Sequence, residues 1–263
     1  MTELFHTKPG EPMTVFHADL DNTLIYSYKR GMDVPGKWVE QYQGRDISFM
    51  TEMSWRLLKQ VRSRVLFVPT TTRTVEQYQR ITFGTSPPEY ALVCNGGVLL
   101  INGERDEDWY QESRALMADC REELYLAEQL LKRDEQVTFE VRNIEELFVF
   151  TKSAGPKETM AELKTRLDER LVEISSHGEK IYILPRKLSK GEGVKRFRDR
   201  VHSPLVIAAG DSRFDISMLE EADIALAENS LRTEHIRHDS IFYPEKGRWF
   251  SEFVLEYVKD FTE

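Results

Sequence analysis

Asp19 and Asp21 close the apolar run Val15-Phe-His-Ala18, with one residue between them and a hydroxyl two residues further on at Thr23. On an extended segment, Cα atoms two residues apart are about 6–7 Å from each other, so two carboxylates placed there repel. A buried strand normally ends in turn formers such as Gly or Asn. A pair of acids in that place has a use: it holds a cation, or it divides into one ionised and one protonated partner. A second pair, Asp211 and Asp215, follows another apolar run, Leu205-Val-Ile-Ala-Ala209 and Gly210. Two strand ends carrying acid pairs suggest one metal site built from both halves of the chain.

Two other elements join them. Thr70-Thr71-Thr72-Arg73 directly follows the apolar run Val65–Val68, and Lys190, in Leu188-Ser-Lys-Gly191, opens a helical pattern. Taken singly, each element is common. Thr after a strand is usually a turn residue or a helix N-cap, and Lys in a first helical turn usually faces solvent. Taken together, three of the four sit at the carboxyl ends of predicted parallel strands, where open α/β sheets bind their ligands.

The elements that must position these residues are legible as short apolar runs. Val15–Ala18, Val65–Val68, Tyr90–Cys94, Leu205–Ala209, Ile224–Ala227 and Ile241–Tyr243 have the length of buried strands. The first five are nearly continuous, as expected for parallel strands covered on both faces. Helical patterns over Phe49–Arg62, Val75–Ile81, Gly191–Arg200 and Asp215–Ala222 separate most of them, which predicts a doubly wound, parallel, Rossmann-like α/β sheet. Between Val98 and Leu188 the pattern changes. A long charged helix is predicted over Asp108–Arg133, then strands Val137–Arg142 and Leu147–Lys152. A helix opened by Gly155-Pro156 follows, then strands Val172–Ser176 and Lys180–Pro185. This is an α+β module inserted into the α/β one, giving a discontinuous core over 1–100 and 188–263 and an insert over 101–187. Tyr26–Arg45 reads as a long loop that either covers the site or is a surface insertion.

A length of 263 residues suits one domain plus an insert. A net charge of −9 without any Lys/Arg block disfavours nucleic acid as a partner. No apolar run is long enough for a membrane span, and Met1–Met13 lacks the pattern of a secretory signal. The two cysteines, Cys94 and Cys120, have no CxxC neighbour and read as reduced thiols, so a cytoplasmic protein is expected. The histidines form no metal spacing, and His17, inside the first strand, reads as a packing residue.

The order DxDxT, Thr, Lys, GDxxxD resembles the haloacid dehalogenase (HAD) superfamily of phosphohydrolases. The insert between the second and third elements is similar to that of its Cof-type sugar-phosphate phosphatases, which carry a C2-type (C2B-like) cap. Asn95-Gly96-Gly97 and Ser217-Met-Leu219 match the same subgroup. The resemblance implies a Mg²⁺-dependent phosphatase of small phosphorylated metabolites, sugar phosphates foremost, acting as a monomer or homodimer. It casts Asp19 as nucleophile, Asp21 as general acid and base, and Lys190 as the cation shared with the phosphoryl group. Thr71, with Thr70 as a close rival, takes the phosphoryl hydrogen bond, and Thr72, Arg73, Asn95 and Gly96 line the phosphate. Mg²⁺ falls to Asp19, Asp211 and the Asp21 carbonyl, with Asp215 a direct or water-mediated ligand. A cap would contact the leaving group, with Arg142, Lys180 and Arg186 as candidates, hinged at Gly96-Gly97 and Pro185–Ser189. A hexose phosphomutase and a catalytically weak phosphosugar-binding protein are the alternatives. The chain departs from the pattern at Phe214, where Asn is usual, at Thr72, where Gly is usual, and at Glu245–Trp249, where the match is loose.

Overall fold

The computed structural model describes residues 13–84 and 86–263. The stretch Met1–Met13, read above for a secretory signal, lies outside them except for Met13. The chain divides into two compact units: one made of the chain up to Arg105 and from Lys190 onward, the other of Asp106–Ser189. Among the described residues, no helix is long and apolar enough to cross a membrane.

The first unit is built on a five-stranded sheet. Its order is Ile241–Phe242, Ile224–Ala227, Leu205–Gly210, Thr14–Ala18, Leu66–Pro69, and all neighbours run parallel. The register sets Ala18 beside both Ala209 and Pro69, so the first acid pair, the second acid pair and the threonine run leave the sheet at one edge. Val15, Phe16, Ala18, Ile207, Ala208 and Ala209 are buried, as the near-continuous apolar runs require of a sheet covered on both faces. The third strand, predicted over Tyr90–Cys94, runs Tyr90–Val93; it meets this sheet through one parallel bridge, Thr70 to Leu92, and pairs mainly with the antiparallel strand Val98–Ile101.

The predicted loop after the first strand is ordered differently. Tyr26–Ser27, Gly36–Tyr42 and Arg45–Thr51 form a three-stranded antiparallel sheet. Its hairpin turns at Gln43 and Gly44, with φ of 50° and 74°, the pair of positive values that a two-residue primed turn needs. The predicted helix Phe49–Arg62 therefore starts later, at Glu52, and runs to Val61. Thr51 caps it by accepting from the Ser54 N–H, while Phe49 and Met50 belong to the strand.

The second unit has a four-stranded antiparallel sheet, ordered Val172–His177, Lys180–Pro185, Phe148–Lys152, Arg142–Ile144. Helices Arg121–Leu131 and Pro156–Arg166 cover one face, with Leu124, Ala127, Leu131 and Leu163 packed on Val149, Ile174, Ile181 and Ile183. The single helix predicted over Asp108–Arg133 is broken. It runs Glu107–Leu116, tightens into a 3₁₀ turn over Ala118–Cys120, and resumes at Arg121. Met117, at φ −100° and ψ 11°, leaves helical geometry at the break and is buried together with Cys120. The strand predicted over Val137–Arg142 is likewise displaced to Arg142–Ile144. Thr151 Oγ1 donates to the Phe139 and Glu140 carbonyls, the groups a regular ladder would have paired.

Candidate active site

The backbone draws the four elements together before any side chain does. The Asp19 N–H donates to the Ala209 carbonyl at 2.9 Å, Thr70 N–H to Ala18 O at 2.8 Å, and Thr71 N–H to Leu92 O at 2.8 Å. Asn95 N–H then donates to Thr71 O at 3.0 Å and Cys94 N–H to Arg73 O at 2.8 Å, which stitches the Asn95-Gly96 turn to the threonine run. Cys94, Asn95 and Gly96 all have positive φ. Three left-handed residues in succession are rare and persist where neighbouring structure enforces them.

Lys190 reaches the site because its helix, Lys190–Val201, approaches Ser217 closely. A Cβ on Gly191 would stand 2.4 Å from the Ser217 carbonyl oxygen, so only glycine fits, and the Gly191 N–H donates to Ser217 Oγ. Lys190 Nζ lies 2.5 Å from Asp19 Oδ1 and 2.5 Å from Asp215 Oδ1, and all three side chains are buried. Burial alone opposes a charged ammonium. The two carboxylates outweigh it and hold Lys190 above its ordinary pKa, hence charged.

Asp215 is saturated by its own loop. Its Oδ2 accepts from Asp211 N–H, Ser212 N–H and Ser212 Oγ, and its Oδ1 accepts from Lys190. Gly210 makes room for it, since a Cβ there would lie 2.2 Å from Asp215 Cβ. Asp215 thus has its full set of donors without an amide at position 214, the place where Phe214 departs from the resembled pattern. Asp211 accepts from Thr23 Oγ1 at 3.2 Å.

Among the described residues, Asp19, Asp211 and Asp215 form a cluster whose nearest ligand atoms all lie within 4.8 Å of one another. Opposite ligands of an ion with Mg–O near 2.1 Å are about 4.2 Å apart, and an all-oxygen donor set suits a hard divalent cation. The residues therefore fit such an ion. Electrostatics point the same way. Burial pushes the Asp19 carboxyl up from its ordinary value, with Lys190 opposing and Asp215 and Asp21 adding to the rise. Burial likewise pushes Asp211 up, aided by the charges of Asp19 and Asp215. A divalent cation between them would reverse that penalty.

Asp21 does not join the cluster through its side chain. Its carboxylate is about half exposed and takes a two-point grip from Arg73, Nε to Oδ2 at 2.7 Å and Nη2 to Oδ1 at 2.8 Å. Thr71 is buried, and its Oγ1 accepts from the Arg73 N–H; Thr72, beside it, is partly buried. His17 is fully buried and kept neutral, its pKa lowered to about 3 by desolvation, and its ring packs edge-on against Phe197. In the second unit, Arg142 pairs with Glu140 and lies over the Phe139 ring, and Arg186 donates to the Glu169 carbonyl. The residue that the sequence did not single out is Glu40, a buried acid whose carboxylate accepts from Arg73 at 2.9 Å.

A profile of haloacid dehalogenase-like hydrolases matches residues 89–230, more than half of the chain. The chain belongs to that family. The matched segment contains Asn95, Gly96, Lys190, Asp211 and Asp215, and stops short of Asp19, Asp21 and Thr71. No curated protein sequence matches this hydrolase. Among solved structures, its fold is similar to that of the sucrose-phosphatase from Synechocystis sp. PCC6803 in complex with sucrose and phosphate. The two share 16% identity with a TM-score of 0.61, over 95% of this chain and 98% of that one. It is also similar to a trehalose-6-phosphate phosphatase related protein, at 12% identity and a TM-score of 0.54, over 94% and 97% of the two chains. A HAD subclass IIB sugar phosphatase shares 14% identity with a TM-score of 0.54, over 94% and 99%.

Proposed function

We propose that this hydrolase is a Mg²⁺-dependent phosphatase of small phosphorylated metabolites, with sugar phosphates as the leading class, and that it works through an aspartyl-phosphate on Asp19. The observation that carries the reading is the buried Asp19 carboxylate at a strand end, bridged to Asp215 by Lys190 and clustered with Asp211. The sugar class is supported by the sucrose-phosphatase and the sugar phosphatase with which the fold is shared.

In the first step Asp19 attacks phosphorus, an Asp19 O–P bond forms, and the bond from phosphorus to the leaving oxygen breaks. Asp21 gives its proton to that oxygen. In the second step Asp21 takes a proton from water, the water oxygen attacks phosphorus, and the Asp19 O–P bond breaks to release phosphate. Lys190 and the Thr71 hydroxyl stabilise the charge on the transferring group, with the backbone of Thr72, Asn95 and Gly96 beside it. Asp19, Asp211 and the Asp21 carbonyl would hold Mg²⁺, which when bound offsets the negative charge that a phosphate monoester presents to a carboxylate nucleophile. The unit Asp106–Ser189 is read as the substrate-selecting cap, moving on the short connections near Gly96-Gly97 and Pro185–Ser189.

Asp19→Asn tests the reading, because the amide keeps the shape and cannot attack. With Mg²⁺ and a panel of phosphorylated sugars, the wild type is expected to release phosphate. The variant is expected to retain less than about a hundredth of that rate while keeping its circular dichroism spectrum. Activity above that level would remove Asp19 as nucleophile.

A further inference from the structure

Glu40 has surroundings that packing alone does not explain. It lies in the strand Gly36–Tyr42, where the pairing register shifts on both sides of it, between Trp38 and Glu40 and between Glu40 and Gln41. The irregularity makes two sequence neighbours, Val39 and Glu40, both buried. Such bulges re-aim a side chain, and they concentrate beside active sites. The strand is also tied down here: Thr82 N–H donates to Val39 O, and Glu40 bridges to Ile81.

The re-aimed carboxylate is 1% exposed and carries three donors. Ser48 Oγ donates to Oε2 at 2.6 Å, and Arg73 Nη1 and Arg80 Nε donate to Oε1 at 2.9 and 3.2 Å. A buried carboxylate is retained at a desolvation penalty, and its partners must repay that. Arg73 is the partner that matters for chemistry. Its Nη1 is held by Glu40 and by the Gln77 carbonyl, while its Nε and Nη2 hold both oxygens of Asp21. Its guanidinium is a rigid planar fork, so fixing Nη1 fixes the direction in which Nε and Nη2 point. Burial opposes the Arg73 charge, and Asp21 and Glu40 outweigh it.

We infer that Glu40 is a positioning residue for proton transfer: through Arg73 it sets the orientation of the Asp21 carboxyl, and with it the enzyme's capacity to expel poor leaving groups such as sugar alkoxides. This rests on the phosphatase reading given above. The chemistry supplies a selective test. An alkyl phosphate needs its leaving oxygen protonated as the P–O bond breaks, whereas the leaving oxygen of dinitrophenyl phosphate departs as a stable anion. Misplacing Asp21 therefore slows the first ester and spares the second. A loosened fold, or a lost phosphate contact, slows both.

The experiment compares kcat/KM, which reports the steps through leaving-group departure, for glycerol phosphate and dinitrophenyl phosphate with the full chain and Mg²⁺. Since general acid catalysis contributes about 10²–10⁴-fold, Glu40→Ala is expected to lose at least about 10-fold on glycerol phosphate and less than about 3-fold on the aryl ester. Glu40→Gln keeps an acceptor for Arg73 and guards against misfolding of the Ala variant; it is expected to show the same selectivity at smaller amplitude. Arg80→Ala removes a partner of Glu40 that holds no oxygen of Asp21, and is expected to leave the ratio of the two esters near that of the wild type. Equal losses on both esters in the Glu40 variants, or a selective loss in Arg80→Ala as large as in Glu40→Ala, would overturn the inference. If the wild type released phosphate from neither ester and from none of the phosphorylated sugars, the phosphatase reading itself would fall, and this inference with it.

Discussion

His17 Nδ1 lies 2.9 Å from Thr70 Oγ1, and that hydroxyl also donates to the Val68 carbonyl at 3.1 Å. Thr70 is thereby committed to the interior: it accepts from the imidazole and gives its own proton to the backbone. Its neighbour Thr71 accepts from the Arg73 N–H, an arrangement that leaves its O–H to donate to a phosphoryl oxygen. The two threonines should therefore separate under mutation. Thr71→Val is expected to lower kcat about 10- to 100-fold with little change in stability, the loss of one donor to a transferring group being worth up to about 10³. Thr70→Val is expected to act mainly on stability, by about 1–3 kcal/mol, since it strands a buried imidazole donor. Urea unfolding and steady-state kinetics on both variants check this; a larger kinetic defect in Thr70→Val would exchange the roles.

Lys190 is expected to be needed for both stability and turnover. Its ammonium sits between two buried carboxylates, so Lys190→Met leaves Asp19 and Asp215 without their shared counter-charge. Breaking a buried ion pair from one side typically costs about 3–5 kcal/mol. Denaturant unfolding should show a loss of that order. Phosphate release should fall at least about 100-fold, because in the proposed mechanism the same charge stabilises the phosphoryl oxygens. A variant as stable as the wild type would mean that the acids protonate at no cost to the fold.

Much of this candidate site was legible because the proposed chemistry demands particular residue types at strand ends. Asp19, Thr71, Asp211 and Asp215 each follow an apolar run closely, and runs of that kind form the parallel sheet that converges them. What stayed hidden lacked local punctuation. The hairpin turns on Gln43-Gly44 rather than the more telling Asn-Gly, and the irregular register around Glu40 spoils the alternation that announces a strand. Glu40 itself reads as one surface acid among many, since its burial depends on the distant Arg73 and Arg80. The break at Met117 has no Pro or Gly nearby, so packing rather than propensity decides it.

The two cysteines are expected to be inert in the native protein. Both are buried thiols outside any disulfide. Burial, with Asp119 adding to it, pushes the Cys120 thiol up to about 11. Thiolate is the reactive form, so at pH 8 only about one part in 10³ of Cys120 is reactive even before access is considered. Iodoacetamide at pH 8 should leave the native chain unmodified and label both cysteines once the chain is unfolded in urea. Rapid labelling of Cys120 in the native state would show that the segment Ala118–Cys120 opens.

Asp211 and Asp215, four residues apart on one loop, are expected to fail differently. Asp215 is spent on structure: its oxygens accept from Lys190, from two backbone N–H groups and from Ser212 Oγ. Asp211 accepts from Thr23 and otherwise faces the repulsion of Asp19 and Asp215, the situation that a divalent cation relieves. A ligand that binds only the folded state stabilises it by RT ln(1 + [L]/Kd), about 2.7 kcal/mol at a hundred times Kd. Mg²⁺ should accordingly raise the thermal midpoint of the wild type, and EDTA should remove both that shift and phosphate release. Asp211→Asn is expected to unfold near the midpoint of metal-free wild type, to lose the Mg²⁺ shift and to lose turnover. Asp215→Asn is expected to unfold earlier with or without Mg²⁺, because a neutral amide replaces the carboxylate that anchors the loop and pairs with Lys190. A Mg²⁺ shift that survived in Asp211→Asn and vanished in Asp215→Asn would transfer the ligand role from the first acid to the second.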